Sequence, residues 1–173
     1  MKQKVLGWTE CLEGHLPEVQ RKKLIGLIEA VPDRWGMIHG DFHFKNVMMQ
    51  DGEALLIDMD TISMGHPVFE LANTYLAFVG FGELDPSVCE DFLEIPYGTE
   101  CEIWKKFLRD YLGTDDEDAL KNTEDKIRIV AYVRLMRHVI RRGEDQAGDG
   151  RRTVEYAARQ LGELLDRTET LDF

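Results

Sequence analysis

Apolar residues recur at helical intervals over most of this chain and at strand-like intervals only briefly. From Pro17 to Val31, the positions Val19, Leu24, Ile25, Leu27, Ile28 and Val31 follow a helical spacing, weakened at Gly26, until Pro32 and Asp33 end it. The texture then changes to short apolar runs around polar clusters. Val47-Met48-Met49 and Ala54-Leu55-Leu56-Ile57 flank an Asp51-Gly52 pair. Asp-Gly supplies the positive φ angles of a tight turn, which predicts a small antiparallel hairpin over residues 47–57. After Pro67 the helical period returns, with Phe69, Leu71, Ala72, Tyr75, Leu76, Phe78 and Val79 on one broad face. A punctuated stretch from Gly80 to Pro86 precedes a short helix to Leu93.

From Thr99 to Leu112, a cleaner pattern of Ile103, Trp104, Phe107, Leu108, Tyr111 and Leu112 stops at Gly113. Trp104, Phe107 and Tyr111 are expected in the core. The acidic run Asp115 to Asp118 leads into a helix that is apolar on most sides from Ile127 to Ile140. It carries arginines at 128, 134, 137, 141 and 142, some of which should pair with the acidic excess. A loop from Gly143 to Gly150 and an amphipathic helix from Thr153 to Arg167 complete the pattern. The prediction is a mainly α protein with one small β-hairpin.

Composition narrows the classes. The chain has 173 residues, 43% of them hydrophobic, and its 21 basic and 33 acidic side chains give a net charge of −12. That is too apolar for disorder and long enough for one core. It also argues against a nucleic-acid binder, whose affinity comes mainly from Lys and Arg displacing counterions. No run approaches the ~18 apolar residues of a membrane span, and the first ten residues lack a signal-peptide core. The three cysteines, Cys11, Cys89 and Cys101, have no metal or redox spacing. A cytoplasmic protein is the expectation.

The chemistry concentrates around the hairpin. His39-Gly40-Asp41-Phe42-His43-Phe44-Lys45-Asn46 fits H-x-D-x-x-x-x-N, the kinase catalytic loop in which the Asp accepts a hydroxyl proton and the Asn binds magnesium. Past the hairpin stands Ile57-Asp58-Met59-Asp60, with Asp58 at the place of the metal-binding Asp of D-F-G. Phosphoryl transfer asks the protein for positioning and charge neutralisation. Asp41 suits the first task, and Asn46 with Asp58, a pair of hard oxygen donors, the second. Asp60 reads as a second ligand or, preferentially, as a loop cap.

The segment HGDFHFKNVMMQDGEALLIDMDTISMGHPVFELA resembles the aminoglycoside phosphotransferase and choline kinase-like family, closely over residues 38–72. That family shows H-G-D-[LF]-H-x-x-N, a hairpin, and then I-D-[FW] with a later G-D-P-x-x-D-L-A. Two positions depart from it: His66 replaces the Asp of G-D-P, and Glu70 the Asp of D-L-A. The resemblance implies the helical C-terminal lobe of a protein-kinase-like fold. Residues 37–60 would form its catalytic loop and metal-binding hairpin, and 67–173 its helical substrate side. It implies ATP-dependent transfer to a small molecule's hydroxyl. Asp41 would be the base, His43 a contact to the transferred phosphate, Asn46 and Asp58 the Mg2+ ligands on ATP, and His39 an organiser of the loop.

Only 38 residues precede His39, they read as largely helical, and they hold no G-x-G-x-x-G loop. The expectation is therefore a lobe without its nucleotide lid, weak or inactive alone, with exposed apolar surface that could drive self-association. In families of this kind the later helices form the substrate cleft. Asp85, Glu90, Asp91, Glu94, Glu100 and Glu102 would then suit an amine or amino sugar as the acceptor. Two other classes compete: a non-catalytic kinase-like binding module, and a metal-dependent hydrolase. In the second, His39, Asp41 and His43 would share one face of an extended segment.

Overall fold

A computed structural model describes residues 1–173 as seven helices and two separate two-stranded ladders. The helices are α1 (Lys2–Thr9), α2 (Glu18–Glu29), α3 (Val68–Phe78), α4 (Ser87–Leu93), α5 (Tyr97–Leu112), α6 (Glu117–Arg141) and α7 (Gly148–Arg167). The strands are β1 (Gly36–Ile38), β2 (Val47–Gln50), β3 (Glu53–Leu56) and β4 (Ser63–Gly65).

α6 is the axis of the molecule. Ile127, Ile129, Val130, Ala131, Tyr132, Val133 and Met136 are all essentially inaccessible. A helix apolar on most sides must be covered on most sides, and α3, α7 and α1 do so. Its start is set by Asp116, whose carboxylate accepts from the Asp118 and Ala119 backbone N–H groups. α7 begins at Gly148, five residues before the apolar period signals it. The apolar side chains from Val5 to Leu171 form one continuous core. Of the aromatic trio on α5, Trp104 is buried, Phe107 packs at the margin, and Tyr111 is half exposed, contrary to its expected core position.

The hairpin forms as expected. β2 pairs with β3 in antiparallel register, from Val47 opposite Leu56 to Gln50 opposite Glu53. Asp51 and Gly52 both adopt positive φ, 52° and 85°, as the two-residue turn requires. A second ladder corrects the expectation of a single hairpin: β1 pairs antiparallel with β4, Gly36 opposite Gly65 and Ile38 opposite Ser63. Its strands have three residues each and lie far apart in sequence, too short and too distant for a periodic signal.

The segment after α7 folds back on the start of this ladder. Leu171 is buried, and Asp172 accepts from Arg34 Nη2 at 2.7 Å. Lys126 of α6 donates to the Asp172 carbonyl at 2.8 Å. No helix is long and apolar enough to cross a membrane, and all three cysteines are free.

Candidate active site

The loop between β1 and β2 is held from below by α3. Gly40 turns at φ 84°; its N–H donates to Glu70 Oε2 at 2.9 Å, and its carbonyl accepts from Asn73 Nδ2 at 2.6 Å. Glu70 therefore reaches the loop backbone from the position where the family pattern has Asp. The other departure, His66, is fully buried at the start of α3. Its Nδ1 accepts from the Val68 N–H at 3.1 Å, so Nε2 carries the proton towards Asp172, 3.0 Å away. Burial pushes its pKa below the usual histidine range.

His39 is buried, with Nε2 2.9 Å from the Ile57 carbonyl, while its own carbonyl accepts from Thr61 Oγ1 at 2.6 Å. It thus ties the loop to the end of β3, where Asp58 follows in a left-handed conformation at φ 59°. Ile57 N–H donates in turn to the Asn46 carbonyl at 3.0 Å. These bonds bring Asp41, His43, Asn46 and Asp58 to the same end of the hairpin.

Asn46 is buried. Its amide nitrogen donates to the Asp41 carbonyl at 2.9 Å and lies 3.3 Å from His43 Nε2, which leaves its Oδ1 uncommitted. His43 Nε2 therefore acts as an acceptor and the proton sits on Nδ1, which has no partner. Burial pushes the His43 pKa down, in keeping with a neutral ring. Its 3.7 Å approach to Asp41 Oδ2 is then a contact of a neutral ring with a carboxylate. Asp58 is exposed and engages no hydrogen bond or ion pair. Asp60 lies in the 3-10 turn after it, exposed, without a side-chain capping bond.

The donor set fits a divalent hard cation. Asn46 Oδ1 and the Asp58 carboxylate are both free oxygen donors, and magnesium characteristically takes one or two protein oxygens with substrate phosphates and water completing the shell. The rival three-ligand site does not assemble. No three His, Cys, Asp or Glu side chains lie together as a metal-holding group, because His39 is turned to the Ile57 carbonyl and Asp41 to an arginine. This removes the geometric basis of the hydrolase reading.

That arginine is the residue the motifs did not reveal. Arg134, midway along α6, donates through Nη2 to Asp41 Oδ1 at 3.0 Å and through Nη1 to the Gly40 carbonyl at 3.2 Å. The sequence signal was general, an arginine-bearing helix in an acidic protein, and it named no partner. Nearby, Glu83 accepts from the Tyr75 and Tyr132 hydroxyls, the latter at 2.8 Å, and Arg128 lies 3.6 Å away, clamping the α3–α4 connection to α6.

The 39–46 loop, the hairpin and the two free oxygen donors lie together at one end of a helical scaffold. Residues 3–100, more than half of the chain, match the model of the phosphotransferase enzyme family, and the chain belongs to that family. Neither the curated proteins nor the solved structures contain a match to it. Arg134 and the whole of α6 and α7 lie beyond the matched residues.

Proposed function

We propose that the chain is the helical lobe of an ATP-dependent phosphotransferase acting on the hydroxyl of a small molecule. The observation that carries this reading is the split environment of Asp41. One carboxylate oxygen is held by Arg134, and the other carries no hydrogen bond, 3.7 Å from a neutral His43. Asp41 orients the hydroxyl and takes its proton as the oxygen bonds to the γ-phosphorus; the bond to the β–γ bridging oxygen breaks and ADP leaves. Asn46 and Asp58 would hold Mg2+, which when bound neutralises charge on the phosphates. His39 and the Gly40–Glu70 bond keep the loop in place. The lid over the nucleotide lies outside these residues in this reading, so turnover by the chain alone is weak. The reading of a binding module is favoured only if nucleotide binds without any transfer.

The test is the melting temperature at millimolar ADP, with and without Mg2+, for the parent, Asp58→Ala and Asp41→Ala. A ligand at a hundredfold excess over Kd stabilises by about 2.7 kcal/mol, which for a chain of this size is about 5–10 °C. A magnesium-dependent rise is expected in the parent and in Asp41→Ala, and none in Asp58→Ala. A rise independent of Mg2+, or lost equally in both variants, overturns the assignment.

A further inference from the structure

Against the loop lies a groove of about 220 Å3, lined by Ala77, Phe81, Val88, Cys89, Phe92 and His138. It adjoins the catalytic loop through two of its walls. The Phe92 ring stands edge-on to His43, centroids 4.9 Å apart. His138 stands one helical turn beyond Arg134 on α6, with Phe81 edge-on to it at 5.9 Å.

The groove is apolar and holds no carboxylate. Burial pushes the Cys89 thiol up to about 12 and the His138 pKa down, so both walls are uncharged near neutral pH. The acids that could have caged a cation are placed elsewhere. Asp85 accepts from Ser87, Glu90 from the Tyr97 N–H at 2.9 Å, and Glu94 from Lys45 at 2.9 Å. Glu100 is fully buried, with its pKa raised by that burial. Asp91 and Glu102 are exposed and line no part of the groove. The cations close by are Lys45, over the Phe92 ring at 5.6 Å, Arg134, and Arg142, whose Nη1 lies 3.3 Å from His138 Nε2. Each has an anion partner already, in Glu94, Asp41 and Glu144. An ammonium group seated here would lose water and find no carboxylate among the groove walls, while the acids close by are already paired with Lys45, Arg134 and Arg142.

Resting on the phosphotransferase reading, we infer that the acceptor is an uncharged alcohol whose apolar aryl or alkyl body seats in this groove, its hydroxyl towards Asp41. An amine or amino sugar, the class expected from the acidic residues in the sequence, does not fit the placement of those residues. The size agrees: an apolar cavity of about 150 Å3 accepts benzene, so this one takes a ring-sized body with a short hydroxyl-bearing arm. Val88 and Phe92, both substantially exposed in the free chain, would be covered by it.

The experiment is NMR of the full chain carrying 13C-labelled alanine and valine methyls, titrated with 2-phenylethanol and separately with kanamycin. Saturable shifts of the Ala77 and Val88 methyls with 2-phenylethanol, and none with kanamycin, are expected. In Val88→Trp, which fills the groove from a half-exposed position, the Ala77 shift should be lost. A retained magnesium-dependent ADP response in that variant would show that its fold is intact; if it does not fold, Val88→Leu, with a smaller added side chain, should weaken the titration at least several-fold. Shifts with kanamycin, or none with 2-phenylethanol, overturn the inference. The ADP melting experiment is read separately, so a failed alcohol titration beside an intact nucleotide response leaves the phosphotransferase reading standing.

Discussion

Asp41 has two carboxylate oxygens, and the chain gives them different neighbours: a guanidinium for one, a neutral imidazole for the other. The imidazole is local and readable, two residues along the same motif. The guanidinium comes from the middle of α6, and only the packed fold could identify it. Because Asp41 and Arg134 are both partly exposed, Arg134→Ala should cost about 1 kcal/mol or less in stability, checked by urea unfolding; a much larger loss would mean the arginine is chiefly a scaffold. His66 makes the opposite case, a residue whose departure from the family pattern was visible and whose partner was not. Its folded pKa lies below the unfolded value, so between the two the unfolded chain binds more protons. Its contribution is complete above about pH 6.5 and fades as the pH falls, with His43 and His138 acting in the same direction. Protonation would also set a second N–H against the Val68 N–H. The melting temperature should therefore drop from pH 7 to pH 5, and His66→Asn should flatten that slope. The lowered pKa of Asp172, held down by His66 and Arg34, acts only at more acidic pH.

At the level of elements, what was legible is what the backbone settles locally. The 47–57 hairpin announces itself through Asp51-Gly52, and α5 through its period and Gly113, which adopts φ 64° at the helix end. The β1–β4 ladder does not, because its three-residue strands meet only across the intervening hairpin and the Asp58 turn. Two glycines separate these kinds of constraint. Gly52 has open space where a Cβ would point, so Gly52→Ala should cost only the left-handed penalty of about 1–2 kcal/mol. At Gly40 an added Cβ would stand 2.9 Å from the Thr61 carbonyl oxygen and 3.2 Å from the Thr61 Cβ. Gly40→Ala should therefore cost more than Gly52→Ala, by about 1 kcal/mol or more, and should also weaken the Mg-ADP response. Urea midpoints of the two variants make the comparison; equal losses would mean that the loop yields at no cost.

Across the whole molecule, burial is lopsided. Trp35, Met37, Met49 and Met64 are 89%, 64%, 65% and 50% exposed, and Met48, Leu55, Leu56 and Ile57 are exposed as well, so the two ladders leave extensive apolar surface uncovered. The sequence made such surface an expectation without naming its extent. Association of copies through it is opposed by a net charge of −12. Sedimentation velocity should accordingly show self-association that grows with salt, and the pair Met37→Glu with Met49→Lys should suppress it; indifference to both would assign the surface no such role. Beside the β1–β4 ladder, the chain closes on itself late. Arg34, next to β1, and His66, at the head of α3, are both anchored by Asp172, about a hundred residues downstream of the latter. On the ribosome, the catalytic loop can thus be synthesised, and its hairpin formed, long before the groups that fasten its surroundings exist. The nascent chain carries this loop in an unfinished cradle until residue 172 has been synthesised, so shorter chains lack the contact that fastens both Arg34 and His66.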